Sequence, residues 1–294
     1  MKYSATKNDI FQADENTKLP SYVWIPDGKV KAIVIAIHGG MAHGGDWENT
    51  ALFLKEKGIA TYALDLRWHG LFPECNPGEK NIFHIDTYDT YAKDIHKYYK
   101  SIRKENPNTP VFILSHSNGG LISLYYGLTL GKDSEIKGLI VSSPWLVNRV
   151  KVPAPLMLAA KIIAFFKPTF PFTTEPLTDV LTHDPEITAR HYKDEESGVR
   201  GTTVSAKLSV EYLKAQKFVL KNISTWNQMP VLGIIAGDDH LADAQSSIDA
   251  LESITAVAEK TLIYPKNYHE NFNELNREEI FEEIWNWIKS TSKN

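Results

Sequence analysis

The chain has one cysteine in 294 residues, Cys75, which excludes an intrachain disulfide framework and a cysteine-built metal site. Cys75 sits in a Pro/Gly-rich loop and reads as a plain loop thiol. Surplus basic charge is absent too: 32 Lys and Arg stand against 36 Asp and Glu, for a net charge of −4, and no basic stripe forms. Nucleic acid is therefore not an expected partner, nor is tethering to anionic lipid by charge. Long apolar runs are missing. The most apolar stretch, residues 152–166, is interrupted by Lys161 and falls short of the ~20 residues a membrane span needs. The opening MKYSATKNDIFQADENTK lacks the apolar core of a secretory signal, so the expected location is the cytoplasm. There is no internal repeat and no low-complexity tract. What remains, 43% hydrophobic and 23% charged, is the composition of a globular chain, and its length fits one α/β domain carrying an insertion.

Strand-like and helix-like segments alternate through most of that length. YVWIP (22–26) and KAIVIAIHG (31–39) read as neighbouring strands joined by a turn at Asp27-Gly28. NTALFLKEKG (49–58) reads as a helix closed by Gly58, and IATYALDL (59–66) as the next buried strand. DTYDTYAKDIHKYYKSIRK (86–104) spaces its apolar residues three and four apart and predicts a long amphipathic helix. Further strands are expected at 110–115, 136–144, 229–237 and 260–265, with helices at 119–130, near 244–256 and near 277–289. Continuous apolar strands separated by helices predict a mostly parallel sheet covered on both faces. The rhythm breaks between roughly 146 and 226, a stretch expected to hold no strand. This predicts a core of residues 1–145 and 227–294, with 146–226 inserted as a mainly helical cap over the C-terminal edge of the sheet.

The segment VFILSHSNGG (111–120) carries the chemistry: an apolar run stops at a serine, two glycines follow, and a helix begins. Such a turn strains Ser117 and points its hydroxyl into a cleft. A neutral serine attacks an acyl carbonyl poorly, so it needs a base, an acid to orient the base, and donors for the developing oxyanion. His269, in YPKNYHENF after the last strand, is the candidate base. Asp239 in AGDDHLAD is the candidate acid, with Asp238 and Asp243 as rivals that could instead cap the following helix. The backbone N–H groups of Gly40, in the IHGG turn, and of Asn118 are the candidate oxyanion donors. His38, His43 and His69, with Asp46 and Asp65 nearby, form no recognised zinc spacing, so neither a metal nor a cofactor is expected. His116 should point away from its neighbour Ser117 into a packed or hydrogen-bonded place, and Ser115 should be a small filler under the turn.

These motifs resemble the monoacylglycerol lipase and lysophospholipase branch of the α/β-hydrolases, related to the serine aminopeptidase-like group. HGGMAHGGDWENTALFLKEKGIATYALDLRWHG resembles that family's oxyanion loop, first helix and D-x-R-G-H-G strand end. SHSNGG is similar to its G-H-S-M-G-G elbow, GDDHLAD to its acid loop, and NYHE to its histidine loop. The resemblance implies an eight-stranded-type sheet, Ser117 as nucleophile, Asp239 as acid, His269 as base, and Gly40 with Asn118 as oxyanion donors. Two positions depart from it. Trp68 replaces a glycine of D-x-R-G-H-G, and must pack beneath the loops or protrude toward the substrate; Ser115 replaces the first glycine of the elbow.

In this family the cap carries the acyl-binding surface. Here residues 153–166 are apolar nearly all round, with Pro168 and Pro171 expected to end the helix. Met157, Ile162 and Phe166, with Trp145 where the cap departs, are the candidate substrate contacts, against simple packing of cap on core. The expected partner is a small acyl ester or single-chain lipid, most naturally a monoacylglycerol, with transient membrane-surface contact through the cap. A thioesterase, a lysophospholipase, or a binding protein that keeps the pocket without the chemistry are the alternatives.

Overall fold

The alternating apolar runs build one sheet, and the strands richest in apolar residues occupy its middle. The computed structural model describes residues 2–76, 82–173 and 177–292. Its strands are β1 (Lys7–Asp14), β2 (Thr17–Trp24), β3 (Ala32–Ile37), β4 (Ile59–Leu64), β5 (Val111–His116), β6 (Ile136–Ser142), β7 (Pro171–Thr173), β8 (Thr203–Ser205), β9 (Val231–Ala236) and β10 (Glu259–Tyr264). Its helices are α1 (Glu48–Glu56), α2 (Phe72–Cys75), α3 (Asp89–Glu105), α4 (Asn118–Leu128), α5 (Ala154–Phe166), α6 (Pro185–Glu196), α7 (Ala206–Asn222), α8 (Ala244–Glu252) and α9 (Arg277–Thr291). Eight strands form a sheet in the order β1-β2-β4-β3-β5-β6-β9-β10. Pairing is parallel from β4 to β10 and antiparallel where β2 meets β1 and β4. This is the α/β-hydrolase architecture that the motifs imply.

Burial on both faces follows the side-chain alternation of a strand. In β3, Ile33, Ile35 and Ile37 enter the core layer shared with α3 and α4, whereas Ala32, Val34 and Ala36 enter the layer shared with α1 and α9. The amphipathic pattern of α3 buries Tyr91, Ile95, Tyr98, Tyr99 and Ile102 in the first layer.

Two expectations about the sheet need correction. β2 and β3 do not form a hairpin across Asp27-Gly28, because β4 lies between them. The reason is that β3, fully buried along its length, uses both of its edges for parallel neighbours, β4 and β5. β1 was not legible at all: KNDIFQAD is an exposed edge strand held through its backbone pairing with β2, so it carries no apolar alternation.

β6 and β9 are hydrogen-bonded neighbours, Leu139 opposite Val231, although more than eighty residues separate them in the chain. The excursion between them holds α5, α6 and α7, and it is not strandless: β7 and β8 pair antiparallel over three residues. α5 ends at Phe166, just before Pro168, as expected. It lies against α7, and Ala164 joins Ala206 and Val210 in a small cluster, but the rest of the helix is largely uncovered. Phe165 is 81% exposed and Phe166 74%. Among the described residues no helix is long and apolar enough to cross a membrane.

Candidate active site

Every candidate catalytic residue stands where a strand of the parallel sheet ends. β5 delivers Ser117, β9 leads to Asp239, β10 leads to His269, and β3 leads to Gly40. The carboxyl edge of a parallel sheet is where such loops converge.

Ser117 caps α4 with φ 53° and ψ −118°, a conformation costly for a residue with a side chain. Its surroundings hold it there. The Ser117 N–H donates to Ser142 O at 2.9 Å, and its carbonyl accepts from Leu121 N and Trp145 N, both at 3.1 Å. The turn also demands a close approach between α4 and β3. A Cβ on Gly119 would stand 2.2 Å from Ile37 O and 2.5 Å from His38 O, so no other residue fits there. Ser115 is fully buried beneath the turn, and its extra hydroxyl is absorbed by donation to Ile140 O at 3.1 Å.

His269 is 2% exposed, and its Nδ1 lies 2.6 Å from Asp239 Oδ2. The other Asp239 oxygen accepts from Leu241 N at 2.8 Å and Ala242 N at 2.9 Å. Burial alone would raise the Asp239 carboxyl, but the adjacent His269 and these donors outweigh it and hold the group below the ordinary carboxylate value. An ionised Asp239 can only accept, so Nδ1 carries a proton, and it is the neutral imidazole whose Nε2 presents a lone pair. That Nε2 is buried and has no hydrogen-bond partner among the described residues. The rivals are engaged elsewhere. Asp243 caps α8 through Ser246 N at 2.8 Å, and Asp238 is exposed beside His240.

Ser117, His269, Gly39, Gly40 and Met41 line one cavity of about 490 Å³, mouth included. Asn118 is fully buried beside Gly40, its side-chain oxygen accepting from Tyr88 Oη at 2.7 Å. The cavity wall has an apolar part, including Leu177, Leu181 and Leu241, and a polar part, Thr178, Glu195, Arg200, Thr202 and Glu270. Thr178 Oγ1 donates to Glu195.

Several expectations about side chains are revised. His116 is packed, against His269 and Phe272, as expected, but the place it fills also lines the cavity, its ring 4.7 Å from that of His269. Burial, and then the neighbouring His269, push its pKa down to about 3, so it stays neutral. Trp68 packs on Phe72 and His84 rather than lining the cavity. Trp145, Met157, Ile162 and Phe166 do not line it either. Trp145 packs edge-on against Tyr212, while Ile162 and Phe166 lie on the outward side of α5, because only the small face around Ala164 meets α7.

The histidines of the first loop are structural. His38 is 1% exposed and accepts from Leu66 N at 3.0 Å, while His69 stacks on Phe83. Burial lowers both, His69 to about 4. His43, Asp46 and Asp194 come within reach of a common ion, but the cationic charge there is already supplied. Arg200 Nη2 donates to Asp46 Oδ2 at 2.7 Å, Arg190 Nη2 lies 3.6 Å from Asp46 Oδ1, and His43 Nδ1 accepts from Gly45 N, which leaves its Nε2 a donor to Asp194.

Arg200 and Glu270 were missed in the sequence. Glu270 follows His269 directly; it accepts from His191 Nε2 and Asn273 Nδ2, both at 2.8 Å, and stands 3.6 Å from Arg200. Burial would raise Asp46 and Glu270, yet Arg200 foremost for Asp46, and His191 then Arg200 for Glu270, hold both well below the usual range. Nothing in HYKDEESGVRG marks Arg200, since an arginine at a loop end is ordinarily solvated.

Comparison with known proteins places the chain in a family. The model of the serine aminopeptidase S33 family matches residues 28–276. A monoacylglycerol lipase of Mycolicibacterium smegmatis is 24% identical over 91% of this chain and 91% of its own length. An uncharacterised abhydrolase domain-containing protein of Dictyostelium discoideum is 25% identical over 99% of this chain, which spans only 30% of that protein's length. The crystal structure of a soluble variant of monoglyceride lipase from Saccharomyces cerevisiae, in complex with a substrate analogue, superposes with a TM-score of 0.83 at 20% identity, over 99% of this chain and 98% of that one. With its eight-stranded sheet and the strained serine at its carboxyl edge, the chain belongs to the serine aminopeptidase S33 family of α/β-hydrolases.

Proposed function

We propose that the chain hydrolyses carboxylic esters of single-chain lipids, monoacylglycerols foremost, through an acyl-enzyme on Ser117. The observation that carries this reading is the free, buried Nε2 of His269 in the same cavity as Ser117, with Nδ1 fixed by Asp239. In the first half-reaction Ser117 Oγ attacks the ester carbonyl while His269 Nε2 takes the hydroxyl proton. The oxyanion is held by the N–H groups of Gly40 and Asn118; one such donor typically contributes about 2.7–4 kcal/mol to transition-state stabilisation. The intermediate collapses, His269 returns the proton to the departing alcohol, and a water repeats the sequence on the acyl-enzyme.

Residues 146–226 serve as the lid over this site, on the core of residues 1–145 and 227–294. The exposed apolar side of α5, with Leu158, Ile162, Phe165 and Phe166, supports transient contact with a lipid surface rather than lining of the acyl pocket. The name of the mycobacterial relative supports the substrate class. The test is hydrolysis of a p-nitrophenyl ester chain-length series and of monoacylglycerols, with Ser117→Ala as control. Turnover of monoacylglycerol that vanishes in the variant is expected. Turnover of short esters alone would move the substrate to small esters, and no turnover of either would leave a thioesterase or a binding protein.

A further inference from the structure

The buried guanidinium of Arg200 sits at a junction of three chain segments. It is 5% exposed and comes from the excursion between β6 and β9. Its Nη2 donates to Asp46, in the 3-10 turn Gly44–Trp47 of the loop that follows β3 and also carries Gly40, and lies 3.6 Å from Glu270, adjacent to His269. The same loop is bound to the excursion a second time, Glu270 N–H donating to Leu181 O at 2.8 Å and Glu270 Oε2 accepting from His191. The other charged groups around Arg200 are Arg190, Asp194 and His43. We propose that Arg200 is a positioning residue, clamping the oxyanion turn to the histidine loop so that the donors and the base hold their spacing around Ser117. The inference rests on the Ser–His–Asp reading above, but not on which ester is the substrate.

The physical basis is geometric. Asp46 and Glu270 belong to different loops and share the Arg200 guanidinium as an ion-pair partner, so its loss removes the link between the loops whether or not Asp46 keeps its charge. Arginine holds its charge in a rigid plane, which keeps Nη2 facing both carboxylates, whereas a lysine ammonium is a compact point charge on a flexible stem. A shift of about 1 Å between reacting groups costs on the order of 100-fold in rate.

The experiment uses the full chain as Arg200→Lys, Arg200→Met and the charge-balanced Arg200→Met/Asp46→Asn. Hydrolysis of p-nitrophenyl butyrate, the rate of Ser117 labelling by a fluorophosphonate, and the melting temperature are measured for each. In Arg200→Met, kcat is expected to fall about 100-fold with KM within about threefold, and labelling to slow in step. Arg200→Lys should recover part of the loss. The double variant removes the uncompensated charge and should regain melting temperature without regaining kcat, so it decides the matter if Arg200→Met fails to fold. Wild-type kcat in the double variant, or a loss confined to KM, would overturn the proposal. Labelling still reads the clamp if p-nitrophenyl butyrate is not turned over, which separates failure of the clamp from failure of the ester assignment.

Discussion

The two halves of the excursion between β6 and β9 meet the rest of the molecule in opposite ways. Residues 178–200 are fastened to the core by polar contacts whose core or cap partner is buried: Thr182 Oγ1 donates to Asn273 O, His183 pairs with Glu274, Asp184 with Arg277, and Arg200 with Asp46. Among the described residues, α5, a few residues earlier, has no hydrogen-bonded side chain of this kind and buries only Ala164. Directional contacts fix a distance, whereas apolar contacts set only an area. Residues 178–200 are therefore built as wall of the cavity that Ser117 lines, and α5 as an adaptable surface.

Ser117→Ala sets the floor for both halves, since it should abolish turnover of dissolved and aggregated substrate alike, by on the order of 10⁶-fold, with the fold intact by circular dichroism. Most of the activity surviving in that variant would remove the shared chemistry. Asp239→Asn is expected to lower kcat about 10⁴-fold, because it disturbs the imidazole tautomer. Asp243→Asn, at the cap of α8, should leave kcat within about twofold and cost less than about 1 kcal/mol of stability, since asparagine also caps well. Equal effects would mean that the wrong carboxylate faces His269.

Phe165→Ser/Phe166→Ser sharpens the contrast directly. Each buried phenylalanine contributes about 1.5–3 kcal/mol to partition into an apolar phase, so sedimentation with lipid vesicles should weaken at least about tenfold. Hydrolysis of a dissolved short ester should be unchanged, and a parallel loss there would return α5 to the pocket wall.

Acid separates the halves by a smaller margin. Asp46 and Glu270 are depressed, so the stability they lend is present above the usual carboxylate value near ~4 and lost as the pH falls further. His38 and His69 are depressed by burial; their stability is full above ~6.5 and lost as the pH drops, each at up to about 1.4 kcal/mol per pH unit. His43 is raised and acts in the opposite direction, its share being present below ~6.5 and lost as the pH rises. The net expectation is a lower urea midpoint at pH 5 than at pH 7; a higher one would refute the balance. Vesicle binding through α5, whose only charged residue is Lys161, should barely change over the same range.

What could be read from the residues followed from how local the signal was. The central strands and the elbow are short-range patterns, apolar runs and a serine before two glycines, and both appear where expected. The pairing of Asp239 with His269 required two loops to meet, but chain order narrowed the choice. Strand β1 and the neighbours of β3 were lost because pairing is set by the whole sheet. α5, apolar apart from Lys161, gave little hint of which side would be covered, since its sides look alike in sequence. Arg200 was hidden for the opposite reason, because only its partners, Asp46 some 150 residues earlier and Glu270 some 70 later, make it unusual.

Since β6 and β9 are parallel neighbours, the excursion leaves the sheet at its carboxyl edge and has to cross to the opposite edge before β9 begins. Architecturally that splits it: α7, with Leu208, Tyr212, Ala215 and Val219 in the main core, is the crossover the sheet itself requires, and only the stretch before it is an exchangeable cassette. Asp46 and Glu270 set the terms of the exchange: a transplanted cassette has to bring its own buried cation to them, or arrive together with neutral partners at both positions.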